Sequence, residues 1–133
     1  EEENNKQSMN LINICASDNS ARTVDEAQEN ISFAGFSPYI SLQKRSFENV
    51  SFNSDKHIVF NPPYGKRIGK TGGEMNNFYK TIGDSLKRNF IGSDAWIFTG
   101  NLDAIKHVGL RSSKKIILFN GPIESRLVKY ELY

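Results

Sequence analysis

Short apolar runs bounded by polar turns alternate along this chain with stretches of helical period. Runs at residues 11–16, 39–42, 58–60, 95–99 and 116–119 are too short for helices and predict buried strands. Val24, Ala27, Ile31 and Ala34 follow the first run at helical spacing, with Ser17-Asp18-Asn19-Ser20 as turn and N-cap and Gly35 as the stop. Met75, Phe78, Tyr79, Ile82, Leu86 and Phe90 sit at i, i+3, i+4, i+7, i+11 and i+15, one apolar stripe that reads as core packing. Asn101 is expected to cap a short helix ending at Gly109. Asn120-Gly121 is a two-residue hairpin signal, after which residues 123–133 return as a last, antiparallel strand. Strands alternating with helices and closing on a hairpin predict an α/β fold, its sheet mostly parallel with one reversed strand.

Composition narrows the class. A length of 133 residues allows one domain at most, with residues 1–10 as a polar lead-in. Hydrophobic content of 38% and charged content of 24% fit a soluble globular protein, and no apolar run approaches the ~20 residues of a membrane span. The single cysteine excludes an internal disulfide and fits a reducing, cytoplasmic setting; Cys15 lies within an apolar run and is expected to be a buried, inert thiol. His57 and His107 have no partners at metal-ligand spacing, so no metal site is expected. A net charge of +2 permits RNA binding without demanding it. Lys66, Arg67 and Lys70 cluster just after the run at 58–60 and suit phosphate contact, whereas Arg111, Lys114 and Lys115 fit a solvated loop at least as well.

The chemistry concentrates in Asn61-Pro62-Pro63-Tyr64, directly after Ile58-Val59-Phe60 and before Gly65. Proline fixes φ and has no N–H, and a residue before proline is held extended, so the segment is stiff and rich in carbonyls with few competing donors. The Asn61 side-chain oxygen and the Pro62 carbonyl can accept both N–H bonds of a base amine. That favours a pyramidal nitrogen and frees a lone pair otherwise delocalised into the ring. Tyr64 can stack on the base, a contact of ~1–3 kcal/mol. A methyl carried on a cationic sulfonium would need in-line placement more than a protein nucleophile. An ordinary strand-ending loop is the plain alternative.

Asn61-Pro62-Pro63-Tyr64-Gly65-Lys66-Arg67, Phe78-Tyr79 and Gly83-Asp84-Ser85-Leu86-Lys87 resemble the S-adenosylmethionine-dependent RNA methylases that modify guanine in large-subunit ribosomal RNA. These are often joined to a THUMP RNA-binding domain. Trp96-Ile97-Phe98-Thr99-Gly100-Asn101 and Phe119-Asn120-Gly121-Pro122-Ile123-Glu124-Ser125-Arg126-Leu127 extend the resemblance, which runs from about Ile14 to Tyr133. It implies the Rossmann-like class I methyltransferase sheet, S-adenosylmethionine as cofactor and ribosomal RNA as partner. It also implies methyl transfer to the exocyclic amine of guanine, with Asn61, Pro62 and Tyr64 at the reacting amine. Pro63, Lys66, Arg67 and Lys70 then lie on the RNA side, and Asp18 holds the cofactor ribose. Ser46 stands where the family has an acid that contacts the adenine amine, a weaker partner than a carboxylate.

The family's first strand and Gly-rich turn are not found ahead of Leu11, so the chain reads as residues 1–133 of a partial methyltransferase domain. The absent strand would sit mid-sheet and leave two edges with unmet backbone groups. The isolated chain is therefore expected to bind S-adenosylmethionine weakly or not at all; micromolar binding in titration calorimetry would contradict this. Two rivals stay open. A degenerate methylase-like domain that only binds RNA or a partner fits Ser46 and the absent turn, but not the intact Asn-Pro-Pro-Tyr. A P-loop fails on spacing, because three residues and not four separate Gly65 from Gly69.

Overall fold

The computed structural model describes residues 13–52, 56–65 and 72–133. It divides into two compact units, Glu1–Val50 and Ser51–Tyr133. In the first, strand β1 (Ile14–Asp18) leads through helix α1 (Ala21–Phe33) to strand β2 (Ile40–Lys44) and a 3₁₀ turn at Phe47–Asn49. β1 and β2 pair in parallel from Ile14↔Ile40 to Asp18↔Lys44. Ser20 starts α1 by accepting the Thr23 N–H on its hydroxyl at 3.3 Å. Gly35, at φ 78°, ends it: the Gly35 N–H reaches the Ser32 carbonyl and the Phe36 N–H the Ile31 carbonyl, both at 3.0 Å. This pair of bonds needs a left-handed residue at that point.

Two expectations change here. The first strand begins at Ile14 and runs two residues past Ala16, because the ladder continues through Ser17↔Gln43 and Asp18↔Lys44; residues 11 and 12 lie outside the described residues. Cys15 is exposed, not buried. It shares the open face of β1 with exposed Ser17, while Ala16 takes the half-buried side, and a two-stranded pair covers little.

The second unit holds β3 (His57–Phe60), α2 (Gly72–Asn89), β4 (Asp94–Thr99), a 3₁₀ turn at Ala104–Val108, β5 (Ser112–Asn120) and β6 (Ile123–Glu131). The sheet order is β3-β4-β6-β5, with β3 and β4 parallel and β6 antiparallel to both neighbours. One strand is thus reversed, as the hairpin predicts. The hairpin loop is Gly121-Pro122, between the paired Asn120 and Ile123. Gly121 takes φ 59°, and the proline after it excludes a type I′ turn, which needs positive φ at both central residues. β5 starts four residues earlier than its apolar run, since the polar stretch from Ser112 to Lys115 also pairs with β6. Charged residues on an outer strand blunt further pairing.

Met75, Tyr79, Ile82, Leu86 and Phe90 of the apolar stripe are buried, together with Ala95, Ile97, Val108, Val128 and Tyr130. Phe78 is half-buried and meets the Tyr79 ring edge-on at 6.2 Å. The expected short helix after Asn101 is a single 3₁₀ segment closed by Gly109 at φ 68°. Burial pushes the Tyr130 hydroxyl up to about 12. A group whose folded value is raised stabilises the fold fully below its unfolded value of 10.0 and loses that contribution as pH climbs toward about 12. Urea unfolding followed by Trp96 fluorescence is therefore expected to lose up to about 1.4 kcal/mol per pH unit above pH 10, less in Tyr130→Phe. An identical decline in that variant would contradict it.

Candidate functional site

β3 stops at Phe60 because two prolines follow within three residues and cannot donate to a ladder. Phe60 pairs with Ile97 in parallel, so the Asn61-Pro62-Pro63-Tyr64 loop leaves the sheet at the same edge as Thr99-Gly100-Asn101. Ligands in open α/β sheets collect at this carboxyl edge.

Side chains from α2 and β4 pin the loop. The Tyr79 hydroxyl donates to the Pro63 carbonyl at 3.4 Å and lies 2.5 Å from the Thr99 hydroxyl. Thr99 Oγ1 also accepts the Asn101 N–H at 3.0 Å. One proton arrangement satisfies all of these: Thr99 accepts from Asn101 and donates to Tyr79, which donates to Pro63. Burial raises the Tyr79 pKa, against the Thr99 hydrogen bond, so the phenol stays neutral and keeps that proton. Further along, Asn101 Nδ2 donates to the Tyr64 carbonyl at 2.9 Å, and Asn101 Oδ1 accepts the Ala104 N–H at 2.9 Å.

The Tyr64 ring lies over Gly100. A Cβ at Gly100 would come within 2.8 Å of both Tyr64 Cε2 and Ile123 Cγ2, so the absent side chain makes room for the ring beside the hairpin. Asn120 Nδ2 approaches the Tyr64 hydroxyl at 3.5 Å. Gly65 turns the chain away at φ 92°, where a Cβ would meet Met75 Cγ at 2.6 Å.

The carbonyls of Pro63 and Tyr64 are thus occupied. Among the described residues, no donor reaches the Pro62 carbonyl or the Asn61 side chain, which is exposed. Pro62 is buried, while Pro63 and Tyr64 are half-buried. Among the described residues the loop thus has two oxygens that accept nothing, Asn61 Oδ1 on an exposed side chain and the carbonyl of buried Pro62, beside the half-buried Tyr64 ring. Lys66, Arg67 and Lys70 lie outside the described residues.

In the first unit, Asp18 ends β1 half-buried. Its Oδ1 accepts the Ser20 N–H at 2.8 Å and its carbonyl accepts the Arg45 N–H at 2.9 Å. Ser20, and not Asp18, caps α1, which leaves Asp18 Oδ2 without a donor among the described residues. Ser46 stands two residues beyond Lys44, at the same carboxyl end of the β1–β2 pair. It heads the 3₁₀ turn with its hydroxyl unused for capping.

Reading the sequence by periodicity misses Thr99 altogether, takes Tyr79 for plain core and Asn101 for a helix cap alone. The signal for Tyr79 is a phenol inside an apolar stripe, since a buried hydroxyl needs a partner. Among the described residues no group of three metal-binding side chains comes together, and no helix is long and apolar enough to cross a membrane. His57 and His107 are exposed.

The family model described as UPF0020: RMKL-like, methyltransferase domain matches residues 1–129. A ribosomal RNA large subunit methyltransferase K/L from Syntrophotalea carbinolica is 32% identical over 120 residues, or 86% of this chain and 17% of that protein. The same-named protein of Cellvibrio japonicus is 33% identical over 131 residues, or 93% and 17%. The chain thus spans about a sixth of those relatives' length. Among solved structures, SMU.472 complexed with SAH superposes with a TM-score of 0.82 at 22% identity, over 90% of this chain and 32% of that one. TrmN from Thermus thermophilus gives 0.73 at 16% identity, over 91% and 36%. Both likenesses show the fold, a Rossmann-like class I methyltransferase sheet.

Proposed function

Because this chain belongs to the UPF0020 family of RMKL-like methyltransferase domains, we propose that the protein it comes from methylates the exocyclic amine of a guanine in large-subunit ribosomal RNA, with S-adenosylmethionine as donor. The observation that carries this reading is the pair of unspent acceptors, Asn61 Oδ1 and the Pro62 carbonyl, beside the Tyr64 ring.

When bound, S-adenosylmethionine supplies a methyl group made electrophilic by its sulfonium. The protein's part is orientation. Asn61 and Pro62 accept the two amine N–H bonds and turn the nitrogen lone pair toward the methyl. Tyr64 covers the base face, and a base taken from a duplex is first flipped out of its stack. Acceptance of the methyl would place positive charge on the amine nitrogen, facing the Asn61 and Pro62 oxygens. Fixed oxygens stabilise that charge more than they stabilise the neutral amine. The amine then loses a proton to solvent. Asp18, with a free carboxylate oxygen at a strand end, suits the ribose hydroxyls of the cofactor, and Ser46 its adenine. Lys66, Arg67 and Lys70 meet RNA phosphates.

The test is the full-length protein with unmodified ribosomal RNA and labelled S-adenosylmethionine, the product digested and resolved by mass spectrometry. Label on the guanine exocyclic amine supports the reading. Label on a base carbon, a ribose or an adenine amine overturns it in whole or in its choice of base, and no transfer favours a domain that only binds RNA.

A further inference from the structure

We propose that Asn101 is a positioning residue for methyl transfer: it clamps the Tyr64 carbonyl and so fixes where the Asn61 and Pro62 oxygens point. This inference rests on the function proposed above and adds to it a residue from the loop that follows β4.

Asn101 is held at three points. Its backbone N–H goes to Thr99 Oγ1 at 3.0 Å, its Oδ1 takes the Ala104 N–H at 2.9 Å, and its Nδ2 donates to the Tyr64 carbonyl at 2.9 Å. The Ala104 N–H can face only an oxygen, so it settles which way the amide is turned and leaves the NH₂ aimed at the loop. The loop itself has few means of holding its shape, since Pro62 and Pro63 carry no N–H. Phe60 anchors it upstream through the β3–β4 pairing, and Tyr64 is its downstream anchor. Between them the φ angles of Pro62 and Pro63 are set by their rings, so the remaining rotations are shared between the Tyr79 bond to the Pro63 carbonyl at 3.4 Å and the shorter Asn101 bond to the Tyr64 carbonyl at 2.9 Å. Without the amide donor, the Tyr64 peptide can rotate and its ring can lift from Gly100. The Asn61 and Pro62 oxygens then turn out of line. A misplacement of about 1 Å costs on the order of 100-fold in rate.

Asn101→Asp separates the two jobs of the side chain. The introduced carboxylate still accepts the Ala104 N–H, but it has no proton for Tyr64 and repels that carbonyl. In the full-length protein, kcat per folded molecule is expected to fall about 100-fold, with KM for S-adenosylmethionine changed less than about threefold and Tm within a few degrees. As pH falls, the introduced carboxyl gains a proton it can donate, so the variant recovers activity relative to wild type on the acid side. Asn101→Ala is expected to show the same kcat loss without acid recovery, and it carries the test if the aspartate variant does not fold. Hydrogen exchange over residues 56–65 reads the clamp directly and should quicken in both variants, with β4 unchanged. Wild-type kcat in either variant, or unchanged exchange in that segment, overturns the inference. Failure of the wild type to methylate any base amine would strike the proposed function instead, and the exchange measurement would still decide the clamp.

Discussion

Asn61→Ala is expected to remove methyl transfer almost completely while leaving the fold intact. The side chain is exposed and, among the described residues, bonds to nothing, so its truncation orphans no partner. Substitutions of that kind change stability by about 0.5 kcal/mol or less. The loss falls on the transition state. The amide oxygen faces a nitrogen that becomes cationic as the methyl arrives, and removing one fixed group of this sort costs about 10²–10³ in kcat. Asn61→Asp keeps an oxygen in place and should retain more activity than alanine, although its charge also strengthens binding of the ground-state amine. The measurement is single-turnover transfer to ribosomal RNA by the full-length protein, beside a melting curve. More than a tenth of wild-type kcat in the alanine variant, with an unchanged curve, would exclude Asn61 as an acceptor at the amine. It would leave the Pro62 carbonyl as the remaining acceptor proposed for the amine.

Much of this site is readable from residue order, because it depends on local chemistry. The strand at β3, the prolines that end it and the buried stripe on α2 follow from periodicity and from what proline forbids. The limits appear where the partner is remote in sequence. Asn101 does bond to Ala104, as a capping asparagine should, but its other contact is with Tyr64, 37 positions earlier. Tyr79 counts as an apolar stripe member until Thr99, 20 positions later, meets its hydroxyl. β5 is longer than its hydrophobic run because pairing with β6 extends over lysines that carry no apolar signal. Cys15 misleads for the opposite reason: an apolar run marks a strand, but burial of each face depends on what covers it. Such cross-chain bonds leave no spacing to detect. What they leave is a polar atom in an apolar setting, which has to be matched with a donor or acceptor elsewhere.

The largest stability effect is expected at Gly83→Ala, and its sign is what makes it informative. Gly83 lies within α2, where alanine is intrinsically favoured by about 1 kcal/mol. Helix propensity alone therefore predicts a more stable protein. The packing predicts the reverse. A Cβ at Gly83 would lie 1.7 Å from the Val108 carbonyl oxygen and 2.7 Å from its carbon, both backbone atoms. No rotamer change relieves that overlap. Val108 is buried and is followed by Gly109 in a left-handed conformation, so its carbonyl has little freedom to retreat. Either α2 or the 3₁₀ turn has to move. Overpacking of a core costs typically 1–3 kcal/mol, and more where the obstacle is backbone. A net loss of about 3 kcal/mol is expected, a large part of the 5–15 kcal/mol that holds an ordinary domain together. The displacement also carries to the site. The same 3₁₀ turn holds Ala104, whose N–H orients Asn101, and α2 carries Tyr79, whose hydroxyl holds Pro63. In the part of the protein that stays folded, kcat should therefore fall as well. Urea denaturation of the full-length variant decides the point: a midpoint equal to or above that of wild type would mean that α2 and the 3₁₀ turn separate freely, and that the loop is not braced from behind.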